Sequence, residues 1–314
     1  MLHLTILPIC YITNINIIQT VETGEIMNLF NNFYNRNSNR AYSPDDKPET
    51  RGELLKLVLK DHFFALMPLN FVLLGICLPA VIWGITGFFY ILQALGTNGT
   101  FTDFLSLSRT WVLILIPCIA ITGPISCAMS ILMRNLARDN ARMKKAVFLE
   151  ALKENWKQSL LISVVTSLMP TLIWAAASFY VPLMGRMASI PLLLTGLIFV
   201  LWLLTLPTMY MMIGTYEDRF ISQLRNALAL TLSHLPMVAG LRILCILPAV
   251  IMLIGLFIGS RLFSILLFIG CVWYIFFGFA LPRLLYASAV NKLCEENLNK
   301  LIEGADTRIG MKKL

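Results

Sequence analysis

Five serines lie inside apolar stretches of this chain, where a serine could act as the nucleophile of an intramembrane hydrolase. They are Ser126, Ser130, Ser163, Ser167 and Ser178. Such an enzyme needs a general base beside the serine, or instead a pair of aspartates or a His-Glu-x-x-His helix that binds a metal. The stretches contain none of these groups, since His62 and His234 stand at the ends of stretches and His3 precedes them. The sequence therefore predicts that the protein is not an enzyme.

The seven cysteines follow neither the pattern of a disulfide framework nor that of a metal site. There is no Cys-x-x-Cys, and no cysteine clusters with a histidine along the chain. Five of the cysteines lie inside apolar stretches, where the residue behaves as a small buried hydrophobic group. No metal, cofactor or disulfide is expected.

Ionisable side chains are absent from the apolar stretches. A transporter coupled to ions or protons keeps ionisable groups within the bilayer because the coupling ion needs a partner there. The sequence therefore disfavours coupled transport, and without a Walker motif the chain cannot power transport by itself. A passive pathway for a small solute stays open as an alternative.

The motif Thr122-Gly123-Pro124 predicts a helix break inside one apolar stretch. In one interpretation the carbonyl groups freed by the break line a solute site, as in the discontinuous helices of transporters. In the other, the break is a kink whose lost hydrogen bonds are satisfied by neighbouring helices.

The elements that must position these residues are transmembrane helices. Of the 314 residues, 58% are hydrophobic and 13% are charged, whereas charged residues make up roughly a quarter of a soluble domain. A helical span needs about 20 apolar residues, and six stretches without charge have that length. The sequence predicts an all-α membrane protein with about six transmembrane helices, over residues 63–102, 110–133, 158–185, 187–216, 243–260 and 262–282.

The basic residues predict how these spans are oriented. Of the 25 lysines and arginines, 22 fall in residues 27–62, 134–158, 214–242 and 283–314. Cytoplasmic loops carry the excess of Lys and Arg in membrane proteins, so both termini are expected in the cytoplasm. The net charge of +8 is explained by this bias, and no nucleic-acid partner is expected.

The chain divides into four regions by composition. Residues 1–26 lack the basic start of a secretory signal and are interpreted as a leader that an over-extended start adds before Met27. Residues 27–52 are polar and predict a cytoplasmic N-terminal tail. Residues 53–302 form the six-span membrane domain, and residues 303–314 form a basic C-terminal tail.

The second basic segment predicts an amphipathic cytoplasmic helix over residues 143–160. Its apolar side chains recur at spacings of three and four, with charged residues opposite. The helix is either a docking surface for a partner's cytoplasmic domain or for anionic lipid, or a connector that lies at the membrane interface with Trp156 as its anchor. The candidate interaction residues are Lys144, Lys145, Phe148, Leu152, Lys153, Trp156 and Lys157.

Surface helices of this kind precede spans more than once. The segment Leu78-Pro79-Ala80-Val81-Ile82 also recurs as Leu247-Pro248-Ala249-Val250-Ile251. These similarities predict three repeated units, each a surface helix followed by a two-span helix hairpin.

Three segments carry a resemblance to a known family. Residues 27–36 are similar to an Asn-Leu-Phe-Asn-x-Phe-Tyr-Asn opening. The second segment has Ile116-Pro117, Thr122-Gly123-Pro124 and Ala128 before the basic exit, and the third is Lys153-Glu154-Asn155-Trp156-Lys157-Gln158-Ser159-Leu160. Together they resemble the YesL-like family of bacterial membrane proteins of unknown function. This chain departs from the family's Pro-Gly-Pro-Gly, where it has Asn37-Ser38-Asn39-Arg40.

The resemblance implies a multi-pass protein of the bacterial cytoplasmic membrane, encoded beside sugar-uptake transporters and carbohydrate-degrading enzymes. It supplies no catalytic or ligand-binding residue. The leading hypothesis is a non-enzymatic accessory or regulatory component of carbohydrate uptake, with a sugar-transporter permease and anionic inner-leaflet lipids as partners. The alternative is a passive transporter or channel-like protein for a small solute.

Overall fold

The computed structural model describes residues 47–96, 100–138, 145–183, 186–302, 305 and 308–312. The regular structure within these residues is entirely helical, which confirms the all-α class. In chain order the α-helices are α1 (Arg51–His62), α2 (Leu66–Gly96), α3 (Phe101–Ala120), α4 (Thr122–Ala137), α5 (Lys145–Tyr180), α6 (Arg186–Ile213), α7 (Phe220–Ser233), α8 (Leu235–Ile258), α9 (Ser260–Phe276) and α10 (Ala280–Asn297).

Within the described ranges, five helical segments are long and apolar enough to cross a membrane. They lie in α1–α2 taken together, α3, α5, α6 and α8. Helices α9 and α10 pass the same test only as a pair, bent by 60° between Phe276 and Ala280. These helices are compatible with the predicted multi-pass membrane protein, and the count of six is reached when the bent pair is taken as one span.

Helix α5 is longer than a span. Its 36 residues would extend over about 54 Å at the α-helical rise, whereas the apolar core of a bilayer is about 30 Å thick. The segment predicted as a surface helix therefore forms the first turns of the same continuous helix as the third span. It is not a separate connector lying between two elements.

Side-chain caps set the start of two helices. Thr50 and Glu53 form a capping box at the start of α1, and Thr100 and Asp103 form another at the start of α3. Each box satisfies backbone N–H groups that have no partner within the helix. Helix α3 therefore begins at Phe101, earlier than the span predicted over residues 110–133.

Helix α4 lies at the centre of the fold, with ten of its 16 residues buried. It packs against α5, α10 and α6, and also contacts α1 and α2. Its apolar side chains join Leu54 of α1, Leu73 of α2 and Leu284 of α10 in the largest core cluster. In contrast, α8 and α9 pack mainly against each other and expose leucine, isoleucine and phenylalanine side chains, a surface suited to lipid.

The order of elements is compatible with the predicted repeat. Helix α1 precedes α2 and α3, the first turns of α5 precede the rest of α5 and α6, and α7 precedes α8 and α9. The three-unit repeat itself stays a prediction.

Candidate functional site

The predicted interaction residues do not all share one surface. Lys144 lies outside the described residues, and Lys145 is the first residue of α5. Phe148 packs against the largest core cluster, and Leu152 is half-buried. These two side chains therefore contribute to stability within the chain, so a partner would have to bind a different face of the helix.

The exposed face of this part of α5 carries Leu149, Lys153 and Trp156, at spacings of four and three residues. Trp156 is 46% exposed, and the Nζ atom of the neighbouring Lys157 lies 5.7 Å from its ring centroid. After Lys157 the exposed side chains of α5 are apolar, beginning with Leu161. A tryptophan at such a boundary is typical of the membrane–water interface.

The predicted helix break lies at Ile121, between α3 and α4, and Thr122 is the first residue of α4. Pro124 has no N–H group, so the carbonyl oxygen of Ala120 lacks its usual partner four residues on. The hydroxyl of Ser163 on α5 donates to this oxygen over 2.6 Å. A Cβ atom at Gly123 would overlap the Ser163 hydroxyl and the Ser159 carbonyl oxygen. The carbonyl is thus used in helix packing, which favours the kink interpretation.

Tryptophans also donate hydrogen bonds between spans. The indole nitrogens of Trp83 and Trp111 donate to each other's carbonyl oxygens, over 2.8 and 2.7 Å. Trp174 donates to the carbonyl oxygen of Leu105 over 3.1 Å, and Trp202 donates to the hydroxyl of Thr166 over 2.9 Å. These bonds connect α2 with α3, α3 with α5, and α5 with α6. These four tryptophans are therefore committed to helix association.

Asn70 of α2 holds the bend between α9 and α10. Its side chain is fully buried, and its amide nitrogen donates to the carbonyl oxygens of Tyr274 and Ile275 over 2.9 and 2.7 Å. Its amide oxygen accepts from the backbone N–H groups of Phe279 and Ala280 over 2.8 and 2.9 Å. All four bonding positions of the amide are thus used on peptide groups at the bend.

The strongest concentration of charge inside the fold lies between α4 and α10. The two helices run parallel in a constant register, because partners on them are each 157 residues apart. Arg283 donates to Ser126, Arg134 donates through Nε to Asn291 Oδ1 over 3.1 Å, and Arg138 faces Glu295. We call Arg51, Arg134, Arg138, Asn291 and Glu295 the basic cluster.

The carboxylate of the basic cluster is already shared. Arg51 of α1 donates to both oxygens of Glu295 through Nη2 and Nε, and its Nη1 donates to the carbonyl oxygen of Ile309 over 3.0 Å. Arg138 reaches Glu295 only through Nη2, at 3.8 Å from Oε1. Residues near both ends of the membrane domain meet here, since the backbone N–H of Lys312 donates to the carbonyl oxygen of Pro48 over 3.0 Å.

Several donors of the basic cluster are unused. Arg138 is 7% exposed and Asn291 is 1% exposed. Among the residues that the structure describes, Nε and Nη2 of Arg138 and Nδ2 of Asn291 have no hydrogen-bond partner. Burial, together with the positive charge of Arg138, lowers the pKa of Arg134 to about 10. The basic cluster is thus short of negative charge and of acceptors.

Sequence patterns did not reveal the basic cluster. Its members come from segments 51, 134–138 and 291–295, and each arginine was counted only as part of the cytoplasmic excess. A signal was present, because Arg134 and Arg138, like Asn291 and Glu295, are four residues apart on one helix face. The described residues contain no group of three histidine, cysteine or acidic side chains that could hold a metal.

Comparison with family models, with curated proteins and with solved structures finds no match to this chain. The resemblance to the YesL-like family therefore stays a prediction.

Proposed function

We propose that this chain is a non-enzymatic membrane protein that works by contact, as an accessory or regulatory component of a carbohydrate uptake system. The observation that carries the proposal is that several polar side chains in the spans form hydrogen bonds to neighbouring helices. The hydroxyl of Ser163, the tryptophan side chains and Asn70 are bonded to neighbouring helices. Charged groups instead gather at one end of the bundle, where helices extend past the apolar spans.

A contact surface at that end is formed by Leu149, Lys153 and Trp156 of α5. Leu149 lies about 10 Å above Trp156 along the helix axis, so this apolar side chain is exposed beyond the interfacial tryptophan. The partner proposed for this surface is the permease of a sugar transporter. Lys153 and Lys157, both exposed, also attract anionic lipid, with roughly 1 kcal/mol for each basic residue near the surface.

The association with carbohydrate uptake rests on the resemblance of the sequence segments described above. The same resemblance, with the distribution of Lys and Arg, supports a place in the bacterial cytoplasmic membrane with both termini in the cytoplasm. The passive-pathway alternative needs free carbonyl groups at the break before Pro124, and the bond from Ser163 to Ala120 removes one of them.

The proposal is tested by co-purification from native membranes. A Lys153→Glu, Trp156→Ala double variant is expected to lose a co-purifying sugar-transporter permease while its membrane insertion and thermal stability stay unchanged. A Leu172→Ala variant, altered on the exposed apolar side of the same helix, is the matched control and should retain the permease. Equal recovery of the permease with all three proteins, or recovery with none, would contradict the proposed surface.

A further inference from the structure

We propose that the basic cluster is a binding site for a phosphate group, held by Arg134, Arg138 and Asn291. The phosphate can be a phospholipid headgroup or a free phosphate, since both present the same acceptor oxygens. This inference is independent of any partner protein at α5.

The basic cluster has more positive than negative charge among the described residues. In the described part of the chain, the cluster brings three guanidinium groups together with the single carboxylate of Glu295. A buried charge without a counter-charge is strongly destabilising. Glu295 is bonded at both oxygens by Arg51 and lies 3.8 Å from Nη2 of Arg138. Among the described residues, no other carboxylate forms an ion pair with Arg134 or Arg138. An anion between them would remove this cost.

The unpaired side-chain atoms of the basic cluster are all of one kind. Nε and Nη2 of Arg138 and Nδ2 of Asn291 are all donors. The orientation of the Asn291 amide is fixed, because its oxygen accepts from Nε of Arg134. Its N–H₂ group is therefore a true donor without an acceptor. A ligand here has to supply several acceptor oxygens, which a cation or a neutral donor cannot do.

The donor groups of the basic cluster also lie on neighbouring elements. Arg134 lies in the last turn of α4 and Arg138 directly follows its final residue, so both guanidinium groups belong to the same end of the helix. Guanidinium groups bind phosphate with two parallel N–H···O bonds. Asn291 lies on α10 in register with Arg134. The three donor groups thus lie where the end of α4 contacts α10.

The site has a route to the surface. Arg134 is half-buried, and Arg51 and Glu295 of the basic cluster line a surface cleft of about 550 Å³. Lys292, Lys300 and Arg308 line the same cleft.

The test uses the full chain purified in a neutral detergent. Its thermal unfolding is followed while inorganic phosphate is titrated against chloride at constant ionic strength. In parallel, native mass spectrometry follows retention of phosphatidylglycerol after extraction from bilayers that also contain phosphatidylcholine. Saturable stabilisation by inorganic phosphate supports a free phosphate as ligand. Retained phosphatidylglycerol without that stabilisation supports a lipid headgroup.

Two variants assign either effect to the basic cluster. Asn291→Asp places a carboxylate beside Arg134, and it should raise the unfolding temperature without phosphate while losing at least tenfold in phosphate or lipid affinity. Arg138→Gln should lose the same affinity, and it serves if the first variant does not fold. Lys56→Gln removes an exposed charge on α1 and should bind like the parent. No phosphate or lipid effect in the parent, or an effect that persists in Asn291→Asp or Arg138→Gln, overturns the proposal.

Discussion

Arg138 directly follows the last residue of α4 and lies opposite Glu295 of α10, yet Nη2 of Arg138 stays 3.8 Å from Oε1 of Glu295. The carboxylate is drawn instead toward Arg51, which donates to both of its oxygens. One buried acid thus links three helices and serves two arginines. Helix α1 is tied to α10 through this acid.

Glu295→Gln should be among the most destabilising single changes in the protein. The substitution leaves Arg51 and Arg138 buried with no carboxylate, and breaking a buried ion pair by removing one partner costs about 3–5 kcal/mol. Thermal unfolding in detergent measures the loss. Glu296→Gln, at the next position of α10 but exposed, is the control and should change stability by less than about 0.5 kcal/mol. Similar losses for the two variants would show that the Glu295 contacts are not stabilising.

Ser163→Ala should weaken the packing of α4 against α5. It removes the hydroxyl that donates to Ala120, and a hydrogen bond between membrane helices is worth about 0.6 kcal/mol on average, with a maximum near 1.7. We expect a loss near the upper end because Pro124 offers that carbonyl oxygen no alternative donor. Ser178 donates only within α5, to Trp174, so Ser178→Ala is the control. A stability loss in Ser178→Ala as large as that in Ser163→Ala would contradict this role.

Asn70→Ala should release the bend between α9 and α10. Four peptide groups lose their side-chain partner, and each buried unsatisfied group costs about 1–3 kcal/mol before the structure relaxes. Hydrogen exchange measures the change directly, with faster exchange expected at the amides of Phe279 and Ala280. Asn70→Asp keeps the acceptor oxygens, so it should preserve protection at these two amides. Unchanged exchange in Asn70→Ala would refute the role of this side chain.

The orientation predicted from the basic residues can be tested with reporter fusions. A reporter that is active only outside the cell should be active after Thr100 and inactive after Lys145, because the loop before α3 is poor in Lys and Arg and the segment before α5 is rich in them. The opposite pattern would reverse the orientation and place the basic cluster outside the cell.

Much of the fold could be predicted because hydropathy and length report directly on helices in a membrane. The candidate spans in α2, α5, α6 and α8 overlap the charge-free stretches that predict them, and α9 overlaps the stretch over residues 262–282. The start of α3 was missed because the prediction counted only residues without charge. The capping box of Thr100 and Asp103 starts the helix before that charge-free stretch begins. The length of α5 was also missed. The sequence suggested a surface helix followed by a span, whereas the charged segment and the apolar segment form one continuous helix.

The candidate sites were harder to predict because they depend on contacts between distant segments. Periodicity placed Phe148 and Trp156 on one apolar face, but α5 turns Phe148 into the core and leaves Trp156 exposed. The register of α4 against α10 joins residues 157 positions apart, which no local pattern reveals. Asn70 was overlooked for the same reason, as a single polar residue in an apolar span whose partners lie about 200 residues later.

The central claim is that this protein works through a surface on α5 and not as a solute pathway. Site-specific photocrosslinking in native membranes tests it most directly, with the reactive side chain at position 153 and, for comparison, at position 172 on the exposed apolar side of the same helix. The account predicts a crosslink to a sugar-transporter permease from position 153 and none from position 172. Absence of a permease adduct at position 153, together with saturable sugar flux in liposomes that contain only this protein, would contradict it.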